Sequence, residues 1–381
     1  MDYPFEIHEI LRAYFSCLPG DVLRPFCRDG ETAPRQITAS WERVLTGRTK
    51  QDIEQSFVYY EALMEAGRDR RYALSYNEPS AHVWPFAIER VFSLFSPEIR
   101  AALSEAMGTP PGGSPVSALR TSSAARNAFR RAFRADINGS ILSFLYSMVY
   151  LMGFSSGGEA SFLTRVFGRA GRWEGHLLDA GGGSGFAGLL LSTRGPVTYV
   201  DFSPFRAERA AAVAAASRDD PDFFGRMLGV IDRESAVFGL ALDRSLIPPL
   251  GGGALSCRSG DLSGLPADFG PFDGAILTDV LEHTTDPETT LSAVARTLRT
   301  GAPLLITVPT DANGVAGQIR EEEEGYAFPF LLHISFFSDE RLQRMADRAG
   351  LAVEELSYFS YEKTSCLGPA PMEVLAIMRK R

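Results

Sequence analysis

Lysine is almost missing from this chain. Lys50, Lys363 and Lys380 are the only three among 38 lysines and arginines. The bias reflects a GC-rich genome more than chemistry. Positive charge is also short overall: the net charge is −9, which argues against a general binder of nucleic acid or membrane surface. Cysteine is scarce and scattered at Cys17, Cys27, Cys257 and Cys366, with no CxxC pair. Neither a zinc site nor a disulfide framework is expected, and no other metal cluster is visible. The N-terminal MDYPFEIHEI has no basic segment and no apolar run, so no signal peptide is expected and a reducing cytoplasm is the default. Long apolar stretches are absent but for one. INGSILSFLYSMVYLMGF (137–154) carries no charge but is barely long enough to span a bilayer. It is read as a buried helix, in the core or at a subunit contact.

What is present points to a globular protein of 381 residues, 45% apolar and 22% charged, large enough for two domains. Residues 1–154 read as helices, for example KQDIEQSFVYYEALMEAG and PEIRAALSEAMG, separated by glycine and proline. They are expected to form a mainly α-helical domain that caps the rest or dimerises. SSGG (155–158) reads as a hinge, and EASFLTRVFGRAG as a helix leading into a second domain, 155–381. From residue 176 the pattern becomes strand, loop, helix, repeated. Candidate strands are 176–180, 197–201, 254–261, 272–279, 303–309, 352–361 and 372–380. This is α/β: a parallel sheet with helices on both faces. The last two strands are joined too briefly for a crossover helix and should pair antiparallel. Residues 219–252 exceed a helix-to-strand link and read as an insertion that adds helix.

The densest signal is HLLDAGGGSGFAG (176–188). Glycines at the carboxyl end of a strand permit unusual backbone angles and a close approach to a ligand. Two registers compete. Gly183-Ser-Gly185-Phe-Ala-Gly188, with Asp201 eighteen residues after Gly183, matches the dinucleotide fingerprint GxGxxG. In the other register the strand ends at Asp179, before Gly181, Gly183 and Gly185. A carboxylate there suits a ligand with an ammonium group and would repel a diphosphate.

The second register resembles motif I of the class I S-adenosylmethionine-dependent methyltransferases. Later segments agree in order: VTYVDFSP, SGDLSGLP, FDGAILTDVLEHTTDP and LRTGAPLLITVP. The resemblance covers about residues 160–381 and implies a Rossmann-like seven-stranded methyltransferase sheet with S-adenosyl-L-methionine as cofactor. It implies that Asp179, Gly181, Gly183 and Gly185 cradle the amino-acid end and ribose. Asp201, with Phe202 beside it, would hold the ribose hydroxyls. Asp261, with Leu262 beside it, would meet the adenine amine. Thr278, Asp279 and His283 would lie near the methionine end.

The reaction expected from this resemblance is in-line methyl transfer to a small molecule in specialised metabolism. His283 and His333 are candidate bases, since an imidazole titrates near neutrality. REEEEGYAFPF (320–330) lies in a candidate lid, 311–337, with Tyr326 and Phe328 toward the substrate. Tyr146 and Tyr150, four apart on the apolar helix, share one face and could attract a sulfonium. The expected partner is a small-molecule substrate, with no nucleic acid or membrane, and a homodimer through the N-terminal helices. Two rivals remain. One is a cyclase of the same fold that turns S-adenosylmethionine into azetidine-2-carboxylate and methylthioadenosine. The other is a non-catalytic binding subunit.

Overall fold

A computed structural model describes residues 96–106, 158–202, 204–236, 239–248, 254–266, 268–284, 286–309, 337–360 and 372–381, with a few isolated positions between 92 and 128. Of the N-terminal helices read from sequence, one falls among these: α1, Pro97–Ala106, entered through Ser96, whose hydroxyl accepts the Ile99 N–H at 3.3 Å. The apolar stretch 137–154 and nearly all of the candidate lid lie outside the described residues. No helix among the described residues is long and apolar enough to cross a membrane.

The second domain begins with α2, Gly158–Ala170. Seven strands then form one sheet: β1 Leu177–Ala180, β2 Val197–Asp201, β3 Leu255–Ser259, β4 Gly274–Thr278, β5 Pro303–Pro309, β6 Leu351–Ser360 and β7 Met372–Lys380. Their spatial order is β3-β2-β1-β4-β5-β7-β6. The first five pair in parallel, whereas β7 is antiparallel to both β5 and β6. The short final connection had required that last pairing. Every residue of β1 and β2 is buried, as expected for central strands covered on both faces.

Helices cover the two faces. On one lie α2, α3 (Phe186–Ser192), α4 (Pro204–Asp219) and α5 (Pro221–Ala236), whose Phe167, Leu190, Val213, Phe223 and Met227 form one core with Tyr199 and Ile276. Helix α5 is the helix expected within the 219–252 insertion. It packs on α2 through a buried Thr164–Ser235 hydroxyl pair, 2.6 Å apart. On the other face lie α6 (Pro287–Arg296) and α7 (Asp339–Arg348). Both start on side-chain caps: Asp286 accepts the Thr289 N–H at 2.9 Å, and Ser338 accepts the Arg341 N–H at 3.3 Å. Such caps satisfy amides that the first helical turn leaves open. Leu291, Val294, Leu342 and Met345 bury against Leu277, Ile306 and Val374.

The chain reverses its direction across the sheet between β1 and β4, which are hydrogen-bonded neighbours. In open α/β sheets, ligands settle beyond the strand ends at such a switch point. The glycine loop after β1 and the DVLEH turn after β4 flank that point.

Candidate cofactor site

Three glycines of the loop are left-handed: Gly181 (φ 73°), Gly183 (φ 50°) and Gly185 (φ 77°). The Gly181 N–H donates to the Val200 carbonyl at 2.7 Å, and the Gly185 N–H to the Gly182 carbonyl at 2.8 Å. The loop is therefore folded back onto β2 before α3 begins. Tyr199, a buried residue of β2, donates its hydroxyl to the Gly183 carbonyl at 2.8 Å. Nothing in the sequence pattern singled out Tyr199; its burial on a central strand hid the polar contact.

Glycine is required at these places for different reasons. A Cβ on Gly185 would lie 2.6 Å from Ala210 Cβ and 3.2 Å from its Cα, a clash of α3 against α4, whereas one on Gly183 would meet nothing closer than 3.8 Å. Gly185→Ala should therefore cost about 2–4 kcal/mol through overpacking and backbone strain, and Gly183→Ala about 1 kcal/mol through strain alone. Urea unfolding of the two variants checks this. Equal losses would sink the packing argument.

Asp201 ends β2, is 2% exposed, and accepts the Gly183 N–H at 3.2 Å. Arg206 of α4 stands 3.7 Å from the same carboxylate oxygen. The expected ribose-binding acid is thus fixed from both sides beside the loop. Asp179 is placed differently from an acid that meets a ligand directly. It is 1% exposed and fills the space beneath the loop: a Cβ on Gly182 would lie 2.5 Å from its Oδ2, and one on Gly188 2.6 Å. Gly182 and Gly188 lack side chains because this carboxyl and the Tyr199 ring occupy their space. Neither Asp179 oxygen has a hydrogen-bond partner of ordinary geometry. Burial pushes the carboxyl up to about 7, the Gly188 amide opposes the rise, and the charge of Asp201 adds to it. Cys257 of β3 lies near; burial and the Asp179 charge push its thiol up to about 12, so it stays protonated and unreactive at neutral pH.

Asp261 is where the sequence put it, exposed just after β3, with one carboxylate oxygen engaged in a turn. Its Oδ1 accepts the Ser263 N–H at 2.9 Å and the Ser263 hydroxyl at 2.8 Å, capping the turn Leu262–Gly264. Leu262 is buried in the core. Phe202 is half-buried beside Asp201.

Beyond β4, Thr278 is half-buried, paired with Thr307 of β5. Asp279 is the one non-glycine residue with positive φ among the described residues, at 52°. Thr307 holds it: the Asp279 N–H donates to Thr307 Oγ1 at 3.0 Å, and that hydroxyl donates to Asp279 Oδ1 at 2.6 Å. Val280 follows, and a Cβ on Gly181 would lie 2.4 Å from its Cγ2. The two loops are therefore in direct contact and make one wall. His283 closes the turn, its Nε2 3.7 Å from Glu282 Oε1. Two acids missed in the sequence reading complete this corner. Glu282 is buried, and Glu373 of β7 is buried close by; burial first, then neighbouring acids, hold both carboxyls well above the ordinary range. Glu373 carried no local signal, because only the sheet brings β7 to the end of β5. Tyr146, Tyr150, Tyr326 and His333 lie outside the described residues. Among the described residues, no group of three or more His, Cys, Asp or Glu is arranged to hold a metal ion.

A switch-point glycine loop, a buried acid ending β2 and a terminal antiparallel pair define a nucleoside-binding α/β domain of the methyltransferase type. The model of a methyltransferase-domain family matches residues 159–356, and the chain belongs to that family. Its cofactor is S-adenosyl-L-methionine. Among solved structures, a methyltransferase of Methanosarcina mazei described as S-adenosylmethionine-dependent is 19% identical, with 55% of this chain and 93% of that chain covered and a TM-score of 0.37. A putative methyltransferase of Bacillus halodurans is 16% identical, with 58% and 99% covered and a TM-score of 0.40. The putative methyltransferase of Haloferax volcanii seen with the activator Trm112 is 19% identical, with 66% and 96% covered and a TM-score of 0.41. No curated protein compared with the chain matches it.

The residues present fit this cofactor. The loop holds its tight course because no Cβ fits at 181, 182, 185 or 188 without a contact below 3.0 Å. Asp201 offers a buried carboxylate to a diol. The negative charge beneath and beside the loop suits a ligand that carries ammonium and sulfonium groups and no diphosphate.

Proposed function

We propose that the protein is a methyltransferase acting on a small molecule in specialised metabolism. The observation that carries this reading is the joined wall of the glycine loop and the DVLEH turn, with Val280 against Gly181. In this reading, the residues that hold the cofactor lie next to those that face an acceptor. Bound S-adenosylmethionine supplies an electrophilic methyl group on a good leaving group. The chain supplies orientation: Asp201, Gly183 and Tyr199 fix the nucleoside side, and Gly181 with Asp279 and Val280 the methionine side. Holding nucleophile and methyl carbon in line and excluding water contributes several kcal/mol of barrier lowering, on the order of what orientation gives elsewhere. An acidic chain with no nucleic-acid module supports a small acceptor over RNA.

The test is product analysis. Purified protein is incubated with S-adenosylmethionine, with and without a metabolite extract, and the products are analysed by mass spectrometry. S-adenosylhomocysteine formed only with extract, alongside an extract component that gains one methyl group, is the expected result. Methylthioadenosine and an azetidine acid formed from the cofactor alone would replace this reading with the cyclase. Cofactor binding without any turnover would favour a binding subunit.

A further inference from the structure

Resting on the methyltransferase reading, we propose that Thr307 is a positioning residue for the methionine end of S-adenosylmethionine. Its hydroxyl holds the Asp279 carboxylate where that group takes the α-ammonium. Thr307 lies in β5 and is fully buried, so it acts through its neighbour and not on the ligand. Asp279 follows the last residue of β4, the strand paired with β5. Three hydrogen bonds join the two residues. The Asp279 N–H is shared between the Thr307 carbonyl at 3.1 Å and Thr307 Oγ1 at 3.0 Å. The Thr307 hydroxyl donates to Asp279 Oδ1 at 2.6 Å.

A hydroxyl carries a single hydrogen. Oγ1 accepts the Asp279 N–H, so its own hydrogen is the one that reaches Oδ1. Oδ1 is therefore an acceptor, and 2.6 Å is the length of a hydrogen bond from a hydroxyl to a charged carboxylate oxygen. The bond fixes the rotation of the side chain and presents the carboxylate as an anion. A carboxylate has about four acceptor sites, and this bond uses one of them.

The carboxylate stands where the chain leaves the core. Residues 274–277 of β4 are buried, whereas Thr278, Asp279 and Val280 are half-buried. The left-handed backbone of Asp279, φ 52°, is costly for a residue with a Cβ and persists where the surroundings over-determine it. It turns the side chain back to Thr307 and sends Val280 on to the glycine loop, where a Cβ on Gly181 would lie 2.4 Å from Val280 Cγ2. One residue thus sets both the carboxylate and the wall of the loop that, in this reading, cradles the amino-acid end of the cofactor.

The ligand chemistry follows from this arrangement. An α-ammonium brings a positive charge and several N–H donors, and a carboxylate fixed at the edge of the cradle complements both. Asp179 acts on the same group only from beneath the loop. An acceptor already held in place loses little freedom when the ligand arrives. Without the Thr307 hydroxyl the carboxylate is free to rotate away, and that advantage is lost.

The test is isothermal titration of the full chain with three ligands. They are S-adenosylhomocysteine, the analogue of it that lacks only the amino group, and methylthioadenosine, which keeps the nucleoside and lacks the amino acid. The wild type should prefer S-adenosylhomocysteine to the deaminated analogue by about tenfold or more, the worth of one hydrogen bond between charged groups. Thr307→Val keeps the shape and removes the hydroxyl. It should bring that preference to within about threefold, through weaker S-adenosylhomocysteine binding alone. Methylthioadenosine should bind wild type and variant within about twofold, which shows that the nucleoside side is folded. Thr307→Ser restores the hydroxyl and should restore most of the preference. Asp279→Asn removes the charge, and asparagine tolerates the same backbone; this variant should also lose the preference. Adding Thr307→Val to it should then change the preference little, because the threonine acts through the carboxylate.

No preference in the wild type, an unchanged preference in Thr307→Val, an equal loss of all three ligands, or a loss that Thr307→Ser does not repair would each overturn the proposal. Each leaves the methyltransferase reading standing. A wild type that binds none of the three ligands overturns the placement of the cofactor, and the proposal with it. Methylthioadenosine formed from S-adenosylmethionine alone overturns the methyltransferase reading and leaves the measured preference to decide the role of Thr307.

Discussion

Asp179→Asn should make the protein more stable at pH 8 by roughly 4 kcal/mol, while weakening its hold on the cofactor. The unfolded carboxyl titrates at 3.8, and burial in the folded chain raises it to about 7. The sign follows from proton binding. Below pH 4 both states are protonated and the group contributes nothing. Between pH 4 and 7 the unfolded chain has lost the proton and the folded chain keeps it, so stability falls as pH rises. Each pH unit in that window costs about 1.4 kcal/mol, which gives roughly 4 kcal/mol across it. Above pH 7 both states are ionised and the penalty is constant. Asparagine has the same shape, does not titrate, and can stay wedged beneath Gly182 and Gly188. Urea unfolding at pH 4.5, 6 and 8 should show the variant gaining steadily on the wild type. A constant offset between the two across that range would mean Asp179 is not the titrating group.

In the proposed placement of the cofactor, this costly acid lies under the loop that would bind a cationic ligand. A buried charge beneath the glycine cradle attracts the ammonium and sulfonium through a low-dielectric layer. Asp179→Asn should therefore bind S-adenosylmethionine about tenfold more weakly at pH 8, a loss that shrinks toward pH 5 as the wild-type carboxyl takes up its proton. Greater stability with lower affinity is the usual exchange at a functional site. If affinity at pH 8 is unchanged, Asp179 serves the packing of the loop alone.

Most of the α/β domain was legible in the sequence because its determinants are local. The buried strands are continuous apolar runs, and the brief link before β7 dictated an antiparallel end; the helix Asp339–Arg348, capped by Ser338, went unread. Asp201 was legible for the same reason: it is the last residue of a strand and stands a fixed distance from the loop. What escaped is non-local. Tyr199 reads as a buried aromatic, and only the fold-back of the loop onto β2 brings its hydroxyl to Gly183. Glu373 reads as one polar residue in an apolar strand; its meaning comes from a register that sets β7 beside the end of β5. Asp179 was found, but its burial was not. The pattern DxGxGxG tells which residue precedes the glycines and not whether its carboxyl faces a ligand or the underside of the loop. Asp261 is a similar case. The sequence placed it correctly after β3, but did not show that one of its carboxylate oxygens caps the Leu262–Gly264 turn.

Asp201→Ala is expected to have the largest effect on cofactor binding, at least a hundredfold. Its carboxylate is 2% exposed and sits within reach of the Gly183 amide and Arg206. A carboxylate can accept from both hydroxyls of a ribose, and hydrogen bonds to a charged acceptor are worth about 1.5–3 kcal/mol each. Two of them correspond to a factor of a hundred or more. Alanine also strands the Gly183 N–H and leaves Arg206 without this partner, so part of the loss would come from a loosened loop. A double-mutant cycle separates the two effects. Wild type and variant are each titrated with adenosine and with 2′,3′-dideoxyadenosine. The wild type should prefer adenosine by about a hundredfold, and the variant should bind the two alike. If the variant keeps the preference, another group reads the ribose, and the loss measures the loop alone. Asp201→Asn refines the test, because the amide keeps one acceptor oxygen and drops the charge. It should fall between wild type and alanine, and its retained preference for adenosine measures how much of the recognition is hydrogen bonding rather than charge.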